Sequence, residues 1–305
     1  MYEKPLLINS GGKQLLAILH MPEEVLTDTA LLIAVGGPQT RVGSHRQFLL
    51  LARYMVKQGV PVLRFDHAGM GDSEGNNSSF LSVYRDFEPV VVSLFQHTNV
   101  KKYCFWGLCD AVSAGLLYFS VSNDDRLAGF IALNPWVRQQ HTEAQAYLSN
   151  YYLRRVLDKE FWKKGVALRV NIFASVYSFI RLYILSRRSG PDAQKTGAST
   201  KTGKDVTWPE FTEDNYVQGM LSGLKKLKKQ CFLILSGNDL TADEFRMLSE
   251  KDQGWALAME EALIDQITIA KANHTFSSRH WRQQVEEFTL KSLLSAADKA
   301  FDRVS

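Results

Sequence analysis

The stretch Tyr103-Cys104-Phe105-Trp106-Gly107-Leu108-Cys109-Asp110-Ala111 decides how the rest of the chain is read. Its apolar start, residues 103–106, reads as a strand, and residues 111–119 read as a helix. Between them, Gly-x-Cys-x-Ala puts a nucleophilic side chain between two small residues. This is the layout of a nucleophile elbow, usually G-x-S-x-G, with a thiol in place of the hydroxyl. The turn is sharp enough to strain the backbone of its central residue. The positions two before and two after must therefore be small, and Gly107 and Ala111 are.

A thiol nucleophile needs a base to take its proton and an acid to orient that base. In chains built on such an elbow they follow in the order nucleophile, acid, histidine. His274, in Lys271-Ala272-Asn273-His274-Thr275-Phe276, stands directly after the last strand-like run and before the final helix, which is the expected loop. Asp239, in Leu235-Ser236-Gly237-Asn238-Asp239-Leu240, follows the strand that begins at Cys231. Asp243 and Glu244 are near enough in sequence to compete for the acid role.

An oxyanion formed by attack of Cys109 should meet the backbone N–H of Asp110 and a second N–H from the loop Gly36-Gly37-Pro38-Gln39-Thr40-Arg41. Pro38 has no N–H, which leaves Gly37 or Gln39. Asp110 itself acts in two directions. Its charge at the start of a helix suits the helix dipole, yet a carboxylate beside a thiol opposes thiolate formation. The helix N-terminus favours thiolate, and sequence does not rank the two. The glycines of Phe65-Asp66-His67-Ala68-Gly69-Met70-Gly71-Asp72-Ser73-Glu74-Gly75 permit a tight loop, with His67 and Asp72 shaping it rather than reacting.

Further strand-like runs fall at residues 15–19, 30–35, 60–65, 129–133, 231–235 and 266–270. Helical segments fall at 45–57, 89–97 and 279–294. This alternation, rich in Val, Ile and Leu, predicts an α/β fold with a mostly parallel central sheet and helices on both faces. It breaks between about 136 and 230, where Tyr147, Tyr151, Tyr152, Phe161, Trp162 and Tyr177 mix with Arg154, Arg155, Lys163 and Lys164. That segment reads as an inserted helical cap, with an exposed polar loop at 189–205. The core is then residues 1–135 and 231–305, and the cap is residues 136–230.

With 305 residues, 45% apolar and 22% charged, the chain reads as an ordinary globular protein. A net charge of +4, from interspersed acidic and basic side chains, argues against nucleic acid as partner. Cys104, Cys109 and Cys231 give an odd count with no disulfide framework, which suits a reducing compartment. No C-x-x-C or H-E-x-x-H spacing and no phosphate-loop G-K-[ST] appears, so neither metal nor cofactor is expected. The N-terminus lacks signal-peptide character, and the longest apolar tract, 166–185, is broken by Arg169, Asn171 and Arg181. Cytoplasmic location is the expectation, and the sequence does not fix an oligomeric state.

With these residues placed, the chain resembles an α/β hydrolase over nearly its full length. The pattern D-x-x-G-x-G-x-S, here Asp66, Gly69, Gly71 and Ser73, is common in that superfamily and specifies no substrate. A narrower set is similar to the exosortase A system-associated hydrolases of type 1. It comprises the elbow, Asn134-Pro135-Trp136-Val137-Arg138, Glu160-Phe161-Trp162, and Ser236 to Ala242 with Glu244-Phe245. The resemblance implies a bacterial protein encoded beside machinery for exopolysaccharide production and protein sorting, with Cys109, Asp239 and His274 as nucleophile, acid and base. It implies no defined substrate.

A thiol in place of serine makes the expected intermediate an acyl-thioenzyme. The expected activity is hydrolysis of an ester or thioester, with acyl transfer by the same mechanism, or an idle binding scaffold, as the alternatives. The substrate is then a small-molecule or lipid-linked acyl compound. The aromatic and basic cap suits either a small core of its own or peripheral contact with an anionic membrane.

Overall fold

The interior strands show why the sheet is parallel and central. In the computed structural model, which describes residues 1–76, 79–138 and 208–302, β3 (Thr29–Ala34), β4 (Val62–Phe65), β6 (Leu127–Leu133) and β7 (Cys231–Ser236) are buried at every position. So is β5 (Lys102–Leu108) after its first residue. Such runs need cover on both faces. Along β3 the side chains divide: Ala30, Leu32 and Ala34 join one core, and Leu31, Ile33 and Val35 the other.

The two remaining elements on the near edge, β1 (Tyr2–Ser10) and β2 (Lys13–Met21), alternate between buried and open positions. They form an antiparallel hairpin, and β2 runs antiparallel to β4. The far edge is β8 (Leu263–Ile269), and the eight strands form one sheet in the order β1-β2-β4-β3-β5-β6-β7-β8, parallel from β4 onward. The sequence-based reading lacked β1, whose first five residues, Tyr2 to Leu6, include Glu3, Lys4 and Pro5. Pro5 sits on the free edge of the sheet, where a missing N–H costs no ladder bond.

One face is covered by α1 (Gln47–Lys57), through Phe48, Leu51 and Met55, and by α8 (Arg279–Asp302), through Val285, Phe288 and Leu293. The opposite face carries the short α2 (Phe80–Val83), α3 (Phe87–Gln96), α4 (Asp110–Val121) and α5 (Tyr216–Lys226). It also carries α6 (Leu240–Lys251), through Phe245, and α7 (Gln253–Ala262), through Trp255. Helix α5 lies against α4 because Gly223 has no side chain: a Cβ there would stand 1.9 Å from the Leu116 carbonyl oxygen.

Most of the expected cap, including Glu160-Phe161-Trp162, the other aromatic residues of that segment and the polar loop at 189–205, lies outside the described residues. Its two described ends belong to the core packing. Val137 joins the buried cluster, and so do Tyr216, Met220 and Leu224 of α5. Among the described residues, no helix is long and apolar enough to cross a membrane.

Candidate active site

Strand β5 ends at Leu108 and α4 begins at Asp110, so Cys109 makes the whole turn alone. Its backbone has φ 61° and ψ −123°, a region that costs a non-glycine residue on the order of 1–3 kcal/mol. The surroundings hold it there: Cys109 N–H donates to Leu133 O at 2.8 Å, and Val112 N–H donates to Cys109 O at 3.0 Å. The small neighbours have their expected cause. A Cβ on Gly107 would lie 3.1 Å from Val112 N, and Ala111 is buried against the same turn.

The residues expected as acid and base meet directly. Asp239 is the N-cap of α6, its carboxylate accepting from the Thr241 and Ala242 amides at 3.4 and 3.2 Å. Its Oδ2 also lies 2.9 Å from His274 Nδ1, with the Asp239 side chain 8% exposed and that of His274 32%. The two competing carboxylates are paired elsewhere: Asp243 with Arg246, and Glu244 with Arg138 through bonds of 3.0 and 3.1 Å. The Arg138 guanidinium also lies over the Trp136 ring.

Two positioning residues went unassigned in the sequence reading. Asn134 is fully buried, with φ 43°, at the end of β6. Its Nδ2 donates to Ser236 Oγ at 2.7 Å and to His274 O at 3.0 Å, while its Oδ1 accepts from Ser236 N–H at 2.8 Å. Ser236 Oγ in turn donates to Asn273 O at 2.9 Å. These bonds fasten the histidine loop to the ends of β6 and β7. Both residues stand in two of the short motifs that carried the narrower resemblance, and a buried Asn directly after a strand was the available signal.

Cys109 is not in hydrogen-bond contact with His274 among the described residues. Its thiol is pushed well above the ordinary range, first by burial and then by the Asp110 carboxylate, with Asp239 adding to both. The Asp110 amide and Arg138 pull the other way and do not prevail.

Gly37 N–H donates to Asp110 Oδ2 at 2.7 Å, so this amide is already committed to a side chain. Gly36 is pressed against the same group, since a Cβ there would lie 2.0 Å from Asp110 Oδ1. Gln39 turns its Oε1 to the Ser44 N–H at 3.1 Å. The Asp110 carboxyl is itself raised by burial, against the pull of the Gly37, Asp110 and Ala111 amides. Asp110 also borders a cavity of about 290 Å³, with Val35, Pro38, Phe80 and Val83 as apolar wall and His67 as a further polar one.

The glycine-rich loop after β4 is structural in the main. Buried Asp66 accepts from Arg41 N–H and is ion-paired with the Arg41 guanidinium, and Ser73 Oγ donates to Asp66 O at 2.6 Å. Gly71 is required, because a Cβ would strike the Asp66 carboxylate at 2.2 Å. His67 is buried, its Nδ1 3.2 Å from Ala68 O, and it borders the cavity beside Asp110. Among the described residues, no three His, Cys, Asp or Glu side chains gather as a metal site.

A parallel sheet with an antiparallel leading hairpin, a strained elbow after β5, an acid after β7 and a histidine after β8 together define the α/β-hydrolase fold. No protein-family model and no curated protein matches the chain. Solved structures do. A structure of DcsB in complex with its substrate analogue has a TM-score of 0.62 at 12% identity, over 97% of this chain and 100% of the other. The Pyrococcus furiosus esterase Pf2001 has a TM-score of 0.60 at 14% identity, over 96% and 91%. Est1E from Butyrivibrio proteoclasticus, bound to ferulic acid, has a TM-score of 0.55 at 15% identity, over 95% and 99%. At such identities the likeness is one of fold.

Proposed function

We propose that the protein is an acyl hydrolase working through Cys109, His274 and Asp239 on an ester or thioester. The observation that carries this reading is the 2.9 Å contact between His274 and Asp239, set on the loops after β7 and β8 at the same carboxyl end of the parallel sheet as the strained turn at Cys109. Asp239 fixes the imidazole by accepting from Nδ1–H, which leaves Nε2 as the base.

Burial and Asp110 push the Cys109 thiol up, so in this reading its proton leaves during attack rather than before it. The Cys109 sulfur bonds to the acyl carbon as its proton passes to His274 Nε2. The tetrahedral oxyanion then collapses, the C–O or C–S bond of the substrate breaks, and His274 returns the proton to the departing alcohol or thiol. Water attacks the acyl-thioenzyme, giving its proton to His274, and the carboxylic acid and free Cys109 thiol are released. If an alcohol, amine or second thiol replaces water, the same steps transfer the acyl group.

The resemblance to the exosortase-associated hydrolases supports a role in exopolysaccharide or envelope synthesis, acting on a small or lipid-linked acyl compound in the cytoplasm. Esterases with the same fold are consistent with it. The raised thiol and the lack of a Cys109–His274 bond favour one second reading, an idle scaffold that binds a partner. The test is intact-mass analysis after incubation with activated acyl esters and thioesters. The enzyme reading expects an acyl adduct on Cys109 that turns over, is lost in Cys109→Ala, and forms much more slowly in His274→Ala. A protein that takes no adduct from any acyl donor is the idle scaffold.

A further inference from the structure

The cavity beside the elbow is bounded by the same two elements that should supply the oxyanion donors, the Gly36–Gly37–Pro38 loop and the start of α4. An acyl group on Cys109 with its oxygen turned to those amides would extend into this space. At about 30 Å³ per water-sized group, the 290 Å³ cavity holds roughly ten non-hydrogen atoms. That volume matches a short acyl group, and the cavity is not an apolar slot, because Asp110 and the buried ring of His67 both border it.

The unusual feature is where the Asp110 carboxylate finds its donors. It accepts the Gly37 N–H at 2.7 Å and draws on the Asp110 and Ala111 amides as well. It therefore occupies donors that the reaction needs. A carboxylate has about four acceptor sites and is costly to bury without partners. The Gly37 amide can be surrendered cheaply only if another donor replaces it.

We propose that this cavity is the acyl subsite and that Asp110 is its specificity-determining residue, selecting a short acyl group that carries a hydrogen-bond donor, a hydroxyl or an amine. The substrate's donor takes over the Asp110 carboxylate, and the Gly37 N–H is released to the acyl oxygen. The inference rests on the acyl-transfer reading above. In the exchange one donor leaves the carboxylate and one arrives, so no buried polar group is stranded. A plain acyl group offers no such exchange. The Gly37 amide then stays on Asp110, or the carboxylate is left a donor short, and either outcome slows acylation.

A matched pair of thioesters tests this, S-butanoyl and S-(3-hydroxybutanoyl) N-acetylcysteamine, with the rate of Cys109 acylation followed by intact mass. The wild type should favour the hydroxylated compound by about tenfold or more, since a site built to bond a substrate hydroxyl rejects the analogue without it. In Asp110→Ala the Gly37 amide is free from the outset. The plain butanoyl compound should then react faster than in wild type, the hydroxylated one slower, and the ratio should approach one. A gain for one substrate and a loss for the other is not what mere damage to the fold would give. If Asp110→Ala does not fold, Asp110→Asn keeps the shape, and its preference for the 3-aminobutanoyl thioester over the butanoyl one should fall at least several-fold.

Equal wild-type rates, or a parallel fall of both rates in Asp110→Ala, would overturn the proposal. Binding of butanamide and 3-hydroxybutanamide to Cys109→Ala, followed by ligand-observed NMR, separates the two readings. A hydroxyl preference that depends on Asp110 but comes without any acylation in wild type sinks the nucleophile and leaves the subsite standing. Acylation with no such preference sinks the subsite alone.

Discussion

Replacing Asn134 tests the claim that one buried amide fastens the histidine loop to the sheet. Its side chain makes three hydrogen bonds, to Ser236 Oγ, Ser236 N–H and His274 O, and it is fully buried. Asn134→Gly deletes all three while keeping a residue at ease with φ 43°. The Ser236 N–H, in a residue that is also fully buried, is left without its acceptor. A stranded buried donor costs about 1–3 kcal/mol, and each of the two other lost bonds about 0.5–1.5, so a loss of about 2–6 kcal/mol is expected. Asn134→Ala should cost about 1 kcal/mol more, because alanine resists a left-handed backbone. Urea unfolding gives both numbers, and Cys109 acylation of the folded fraction gives the effect on chemistry. Ser236→Ala on top of Asn134→Gly should add less than it does alone, since the two share bonds. A loss under 1 kcal/mol for Asn134→Gly, with acylation intact, would refute the reasoning.

Four further outcomes follow from the site and the core. In Asp239→Asn the His274 contact loses its charged partner and its fixed tautomer, so acylation of Cys109 should fall by a factor of about 10² or more, the comparable change elsewhere reaching about 10⁴. Single-turnover rates measure it, and an unchanged rate would remove Asp239 from the triad. Iodoacetamide should label Cys109 in the free protein more slowly at neutral pH than it labels an unstructured thiol, because burial and Asp110 hold the proton on. The same raised thiols predict that stability declines as pH climbs above about 8.5, where the unfolded chain ionises first. The folded state then binds more protons than the unfolded one, so the slope is negative, and Cys231, pushed up to about 12, contributes alongside Cys109. Urea midpoints that stay flat or rise between pH 8 and 10 would contradict it. Gly223→Ala should cost well over 2 kcal/mol in the same assay, since its Cβ would meet backbone oxygen at 1.9 Å.

Much of the sheet was legible because its interior strands are continuous apolar runs between turn residues, as at residues 30–35 and 231–235. Strand β1 was not, because an edge strand buries only alternate positions and Leu6, Ile8 and Ser10 alone face inward. Helices α6 and α7 were missed for a related reason. Their buried faces are narrow, Thr241, Ala242 and Phe245 in one and Trp255, Ala258 and Ala262 in the other. The elbow could be read because backbone strain restricts residue size at fixed offsets, a constraint that survives in a single sequence. The carboxylate at His274 could not be chosen from sequence, since Asp239, Asp243 and Glu244 lie within six residues. Only the capping geometry of α6, which turns Asp239 back over the loop, separates them.

The placement of Asp110 makes sense of the thiol. A serine hydroxyl has no thiolate to suppress, whereas a free thiolate beside a cavity would be open to oxidation and alkylation. Burial and the neighbouring carboxylate both push the Cys109 thiol up. The same carboxylate holds the Gly37 amide, so one side chain acts on both the proposed nucleophile and a proposed oxyanion donor. On the subsite proposal, a substrate that engages Asp110 frees the Gly37 amide and lifts the carboxylate's part of the hold on the thiol, leaving that of burial. Reactivity is then coupled to occupancy of the cavity, which explains how a charged residue that opposes the chemistry in the empty site can sit directly beside its nucleophile.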